Sequence, residues 1–241
     1  MSVRVLAVSD EVDDGLAGGL AAGWLVDLIL ACGDLPADYL AALINAIDVP
    51  LVFVPGNHDP DLSGYRQSRS GLVTLAGFPA APPWPPGALS ADGQVLDAAG
   101  LRVAGLGGCL RYSAGPNQYT ERQQARRARR LRNLVRRRSR RDHRQVDVVL
   151  THAPPSGIGD ADDLPHRGFG CYHQLIADLA PSAMLHGHVV PGRTWQRTVG
   201  PAVTGQSKAG RTTVCNVTGW RLLEITPGGL TTWQEGRRRA I

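Results

Sequence analysis

Apolar runs that close on small polar clusters punctuate this chain. The first, Val3-Arg4-Val5-Leu6-Ala7-Val8, alternates and then turns wholly apolar before Ser9-Asp10. A strand covered on both faces reads this way, its last residues emerging at the sheet edge. A second run at 28–32 ends in Gly33-Asp34, and a third at 51–55 ends in Gly56-Asn57-His58-Asp59. Between them, 36–47 opens on Pro36 and carries Leu40, Leu43, Ile44 and Ile47 at helical spacing, which predicts a crossover helix between parallel neighbouring strands. A right-handed crossover brings both turns to the carboxyl edge of one sheet, where open α/β sheets bind ligands.

The pattern continues in the same style. Residues 16–24 suggest a helix, with Glu11, Asp13 and Asp14 ahead of it as capping carboxylates or as a cluster in reach of a metal. Residues 61–93 are rich in Gly, Pro and Ser around Pro82-Pro83-Trp84-Pro85-Pro86, which excludes a helix there and predicts a rim loop. Residues 95–97 and 101–106 read as a hairpin about Ala99-Gly100, and the turn Gly107-Gly108 delivers Arg111 to the same edge if the following strand joins the main sheet. From Thr120, an N-cap, to about 138 the chain reads as a helix with a narrow apolar stripe of Ala125, Ala128, Leu131, Leu134 and Val135. A buried strand at 147–150 runs into Thr151-His152-Ala153-Pro154-Pro155 and a polar loop holding Asp163 and His166. A helix at 172–179 precedes a strand at 183–185 that feeds His186-Gly187-His188-Val189-Val190. Short β strands about Val199 and Val203 and at 212–217 and 222–226 complete the pattern.

Composition changes this picture in three places. With 241 residues, 43% of them apolar, the chain predicts a single α/β domain over 1–241. Neither a basic-then-apolar leader nor a spanning stretch is visible, so a cytoplasmic protein is expected. Cys32, Cys109, Cys171 and Cys215 stand far apart, which favours reduced thiols over disulfides or a zinc knuckle. The net charge of +5 is local in origin: residues 122–144 hold twelve Arg against one Asp, a net +11, so the remainder sums to −6. This basic helical segment at about 120–144 is a candidate surface for nucleic acid, another polyanion, a membrane or an acidic protein, weighed against the default of a solvated face.

Five strand ends deliver Asp10, Asp34, Asn57-His58, His152 and His188. Oxygen and imidazole donors in that mixture suit Mn, Fe or Zn better than Ca or a thiolate-bound zinc. The order D, GD, GNHD, H, GH resembles the calcineurin-like metallophosphoesterase superfamily over most of the chain. The segments Arg111-Tyr112 to Gln118-Tyr119-Thr120 and Thr151-His152-Ala153-Pro154-Pro155 to His166-Arg167-Gly168-Phe169 resemble a small prokaryotic branch of it.

The resemblance implies a sandwich of two mixed β-sheets flanked by helices and a two-metal centre hydrolysing phosphate mono- or diesters. It implies that Asp34 bridges the metals, that Asn57, His152 and His188 complete the second metal's shell, and that Asp10 binds the first. His58, oriented by Asp59, would meet the phosphate or protonate the leaving group. Two departures stand out: the superfamily's D-x-H is Asp10-Glu11-Val12 here, and its G-H-x-H is Gly187-His188-Val189-Val190. Both lost histidines belong to the first metal. Glu11, Asp14 and His166 are candidate substitute ligands, and Arg111 and Asp163 join them as candidates for substrate contact. The expectation is a metal-dependent hydrolase of a phosphorylated small molecule or nucleotide, with one divalent metal held tightly and a second weakly. The rivals are a degenerate interaction module and a different single-metal chemistry on the same scaffold.

Overall fold

The computed structural model describes residues 2–18, 24–68, 72–191, 196–199, 211–226 and 229–236. The opening apolar run forms β1 (Val3–Ser9), followed by α1 (Asp14–Ala17), β2 (Leu28–Ala31), the crossover helix α2 (Ala37–Ile47) and β3 (Leu51–Phe53). The Gly- and Pro-rich segment contributes β4 (Tyr65–Gln67), β5 (Val73–Leu75), β6 (Phe78–Pro79) and β7 (Ala88–Ser90). After them come β8 (Val95–Ala98), β9 (Leu101–Leu106), β10 (Cys109–Leu110), β11 (Gln118–Tyr119), α3 (Glu121–Asp142), β12 (Val148–Thr151), α4 (Cys171–Leu179) and β13 (Ala183–His186). The chain closes with β14 (Gln196–Val199), β15 (Thr212–Asn216), β16 (Gly219–Thr226) and β17 (Gly229–Gly236).

Among the described residues these strands build two six-stranded sheets, ordered β17-β16-β1-β2-β3-β7 and β14-β15-β13-β12-β9-β8. In the first, β1, β2, β3 and β7 run parallel and β16 lies antiparallel to β1; in the second, β9, β12, β13 and β15 run parallel. Alternate side chains divide cleanly between layers. Val5, Ala7, Leu28, Leu30 and Val52 meet Val103, Val148, Leu150 and Leu185 in the core between the sheets. Leu6, Val8, Ile29 and Leu51 face outward onto Leu40 and Leu43 of α2, and Ala104, Val149 and Met184 face outward onto Leu131 of α3 and Leu175 of α4. The strands are apolar on both faces because both faces are covered. The result is a sandwich of two mixed sheets with helices outside, as the resemblance implies.

Several local expectations differ from the structure. Helix α1 ends at Ala17, with Asp13 as its N-cap accepting from Gly15 and Leu16 N–H; residues 19–23 of the expected 16–24 helix lie outside the described residues, as does Val203. The rim segment holds the small antiparallel sheet β4-β5-β6, and β7 adds a parallel strand to the first sheet. Strand β10 pairs with β11 instead of joining the main sheet, and the Arg111 guanidinium donates to the Gln118 carbonyl. In α3 the capping box of Thr120 and Gln123 fixes the start, and Ala128, Leu131 and Val135 are buried, but Leu134 is 41% exposed. No helix among the described residues is long and apolar enough to cross a membrane.

Candidate metal centre

Because β1, β2 and β3 run parallel, Asp10, Asp34 and Asn57-His58 all follow the carboxyl ends of neighbouring strands; β12 and β13 of the other sheet deliver His152 and the stretch from His186 to His188. The two carboxyl edges meet here. Three of these residues leave their strands with left-handed backbone: Asp10 at φ 62°, Asp34 at φ 57° and His188 at φ 68°. Non-glycine residues adopt such φ values at a cost that surrounding structure has to meet, and they concentrate at functional sites. Two signature glycines are needed for another reason. A Cβ on Gly56 would collide with the Asp34 Oδ1 and stand 2.7 Å from His152 Cε1, and one on Gly187 would collide with Ser9 Oγ and the Asp10 carboxylate.

Hydrogen bonds set the direction of each donor. His152 is fully buried, and its Nδ1–H donates to the Cys32 carbonyl at 2.7 Å, which turns Nε2 toward Asn57 Oδ1 at 3.0 Å and Asp34 Oδ2 at 3.2 Å. The Asn57 amide nitrogen donates to the Tyr112 hydroxyl at 3.0 Å, which fixes its oxygen on the cluster side. Asp34 Oδ1 accepts the His58 backbone N–H at 2.8 Å. His188 Nε2 donates to the Pro165 carbonyl at 2.7 Å, leaving Nδ1 for the cluster. Ligand atoms of Asp34, His152 and His188 all lie within 4.8 Å of one another. With Asn57 they form a two-oxygen, two-nitrogen donor set, each member oriented from behind, and this fits a borderline divalent transition metal. They open on a cavity of about 350 Å³ lined by Asp10, His58, Tyr112, Pro165 and His166 as well as by Asp34, Asn57 and His188.

The electrostatics match a site built for a cation. Burial alone would lower the His152 pKa, but the Asp34 and Asp10 carboxylates raise it to about 9. Burial lowers His188 to about 3, helped by the neighbouring His152 charge. Burial opposes the Asp34 charge, but the hydrogen bond and charge of His152 and the His58 backbone N–H together hold its carboxyl below the ordinary range, whereas burial raises Asp10. The Asp34 and Asp10 carboxylates thus favour positive charge at His152.

The sequence-derived candidates separate into groups. Asp34, Asn57, His152 and His188 converge, and His58 and Asp10 line the same cavity. Asp10 Oδ2 accepts the His188 N–H at 2.9 Å and the Thr218 hydroxyl at 3.4 Å, so hydrogen-bond donors surround it where the superfamily pattern puts a cation. Val12 packs into the apolar layer under α2 and Val190 is 69% exposed; the two valines do not form one environment. Glu11 and Asp14 lie outside the cavity lining, with Asp14 exposed at the start of α1. His166 does line the cavity, its Nδ1 bound to the exposed Asp163 at 2.6 Å and its ring 5.3 Å from that of His188. Asp59 has a different task from orienting His58: Oδ2 accepts the backbone N–H of Asp34 and of Gly56, at 2.9 and 2.7 Å, and ties the two signature turns together. Arg111 points to the Gln118 carbonyl, and the adjacent Tyr112 faces the cluster instead. Tyr112 and the Pro165 and Cys32 carbonyls are participants to which the sequence reading gave no role; Tyr112 stood there as part of the Arg111-Tyr112 segment, and Pro165 beside His166.

A family model described as calcineurin-like phosphoesterase matches residues 16–192. Among solved structures, TT1561 of Thermus thermophilus is 18% identical, with a TM-score of 0.60 over 97% of this chain and 99% of that one. A second crystal structure is 16% identical, with a TM-score of 0.60 over 98% of this chain and 100% of the other. These likenesses concern the fold alone. No curated protein matches the chain.

Proposed function

We propose, from the premise that the chain belongs to the calcineurin-like phosphoesterase family, that it hydrolyses a phosphate mono- or diester at a centre with one tightly held divalent metal. The observation that carries this reading is the convergence of Asp34, Asn57, His152 and His188, each held by a hydrogen bond from outside the cluster. Asp34, Asn57, His152 and His188 would hold the metal, with Mn, Fe and Zn all suited to that donor set. Bound there, a divalent cation polarises a phosphoryl oxygen and lowers the pKa of water. Tyr112 keeps the Asn57 oxygen on the cluster and the Cys32 carbonyl keeps the His152 tautomer. His58, exposed at the cavity and anchored by its own backbone N–H on Asp34, presents its imidazole to the ester oxygen and supplies a proton as that oxygen leaves. His166, held by Asp163, faces the same space and is a candidate substitute ligand or phosphate contact. Asp10 with its hydrogen-bond donors keeps at most a weak second metal.

The test is an assay of nitrophenyl phosphate and bis(nitrophenyl) phosphate with added Mn²⁺, in the native protein and in His58→Ala. We expect His58→Ala to keep its metal and lose turnover about 100-fold, the scale of a positioned general acid. Undiminished turnover in that variant would remove His58 from the reaction.

A second observation favours a polyanionic partner. Of the arginines of α3, Arg127 pairs with Asp92, Arg132 and Arg136 with Asp178, and Arg138 with Asp97. Arg122, Arg126, Arg129, Arg130, Arg137, Arg140 and Arg141 are exposed and pair with no acid among the described residues. Spaced three and four apart, they form one stripe along the helix. Nucleic acid retained by such a stripe should release steeply with salt, its affinity falling about 100-fold or more between 50 and 200 mM. Binding that ignores salt, or none at 50 mM, would reduce the stripe to a solvated face.

A further inference from the structure

We infer that an apolar cavity beside the donor cluster receives the leaving group of the ester, and that this group is a flat, uncharged aromatic. The inference rests on the phosphoester reading and narrows its substrate class. The cavity measures about 380 Å³, within the range of small-molecule sites. Leu35 comes to it from the Gly33-Asp34 turn, Phe53 from the end of β3, and Leu62, Pro83, Trp84 and Pro85 from the segment between β3 and β7. Asp34 and His58 line this cavity and the metal-side cavity alike, so the two spaces adjoin at those two residues.

That junction fixes a direction. An ester whose phosphoryl oxygens reach the donor cluster and whose leaving oxygen reaches His58 has its next atoms aimed into the apolar space. Trp84 forms a rigid wall there, its ring 5.8 Å from Phe53 and 5.5 Å from Tyr65, with 6% of its surface exposed. No Lys or Arg lies among the described residues that line the cavity, and Asp59 there is engaged by the backbone of Asp34 and Gly56. A polyphosphate or sugar leaving group would lose water without gaining partners, whereas an aromatic ring loses only unfavourable hydration. The proline-rich segment that shapes this wall is the stretch that the sequence reads as a rim loop.

The experiment uses 2-naphthol as a probe, followed by saturation-transfer NMR on the full chain, and the kcat/KM ratio of 2-naphthyl phosphate to phenyl phosphate, whose alcohols are of nearly equal acidity. Two variants narrow the cavity without touching the donors. Ala37→Trp fills it from an exposed position at the start of α2, and Leu62→Glu puts a charge into it from a half-buried one. The expected result is saturable naphthol binding that persists after chelation and weakens at least tenfold in both variants, with a naphthyl preference of at least fivefold that collapses toward one. Absent binding, or binding unchanged in both folded variants, overturns the inference. Ester hydrolysis without a naphthyl preference overturns it and leaves the phosphoester reading standing. Naphthol binding lost in the variants, with no ester hydrolysed by the native protein, supports the ligand cavity and rejects the phosphoester reading.

Discussion

Replacing His152 by Ala is expected to remove the tightly held metal and to lower hydrolysis of a nitrophenyl ester at least 1,000-fold. His152 is the most deeply buried member of the cluster, its tautomer is fixed by the Cys32 carbonyl, and its Nε2 stands against both Asn57 and Asp34. Loss of a ligand removes the metal's contribution to the transition state along with the metal, so the effect exceeds that of losing a substrate-facing group. The same geometry sets a pH dependence. With the folded His152 pKa raised to about 9, metal has to displace a proton, so apparent affinity should rise about tenfold per pH unit from about 7 toward 9 and then level. In the metal-free protein the sign is opposite: the stability contributed by the His152 pair is complete below the unfolded pKa of about 6.5 and is lost as pH rises through about 9. Metal analysis, turnover and a thermal melt of the variant check this together. A folded His152→Ala protein that keeps metal and turnover contradicts it.

Arg102→Leu should destabilise the fold by about 2–4 kcal/mol, lowering Tm by roughly 5–10 °C. The Arg102 side chain is 1% exposed, and its guanidinium meets Asp97 at 2.9 Å, Asp142 at 2.6 Å and the Arg144 carbonyl at 3.1 Å. It joins β9, β8 and the end of α3. Removing it leaves carboxylates without their cation, although both are about one-third exposed and regain some water, which keeps the cost below that of a fully buried pair. Both are held below the ordinary carboxylate range, Asp142 chiefly by its hydrogen bond to Arg102 and Asp97 by the same guanidinium against a burial that opposes it. Their contribution is therefore complete above about pH 4 and disappears as pH falls further. Thermal melts from pH 7 down to pH 2 measure it: the gap between native and variant should be wide at pH 7, little changed at pH 4, and shrink progressively as the pH falls through the lowered carboxylate range. An equal gap throughout would assign the loss to packing alone.

The sequence made the sheets legible because strands buried on both faces are apolar at most positions, as in β1, β2, β12 and β13, and each ends on a polar cluster. The converging donors were legible for the same reason: parallel strands put their carboxyl ends at one edge. What the pattern did not carry is contact between segments distant in sequence. Asp59 lies beside His58 in sequence, yet its carboxylate closes on Asp34 and Gly56 N–H, a task visible only when β2 and β3 are set side by side. Tyr112 reaches Asn57 across 55 residues because β10 pairs with β11 and turns the chain back, and two-residue strands leave no periodicity to read. The exposure of Leu134 shows the limit of helical spacing: α3 packs on one side only, and its stripe is narrower than the apolar residues suggest.

The proposed site for one tightly bound divalent metal, at Asp34, Asn57, His152 and His188, is tested most directly by calorimetric titration of chelator-stripped, dialysed protein with Mn²⁺ at pH 8. The geometry predicts one strong equivalent per chain that disappears in Asp34→Ala, with any second equivalent at least 100-fold weaker, because Asp10 is surrounded by hydrogen-bond donors and neither valine can ligate. No binding, or two equivalents of equal affinity, would contradict it.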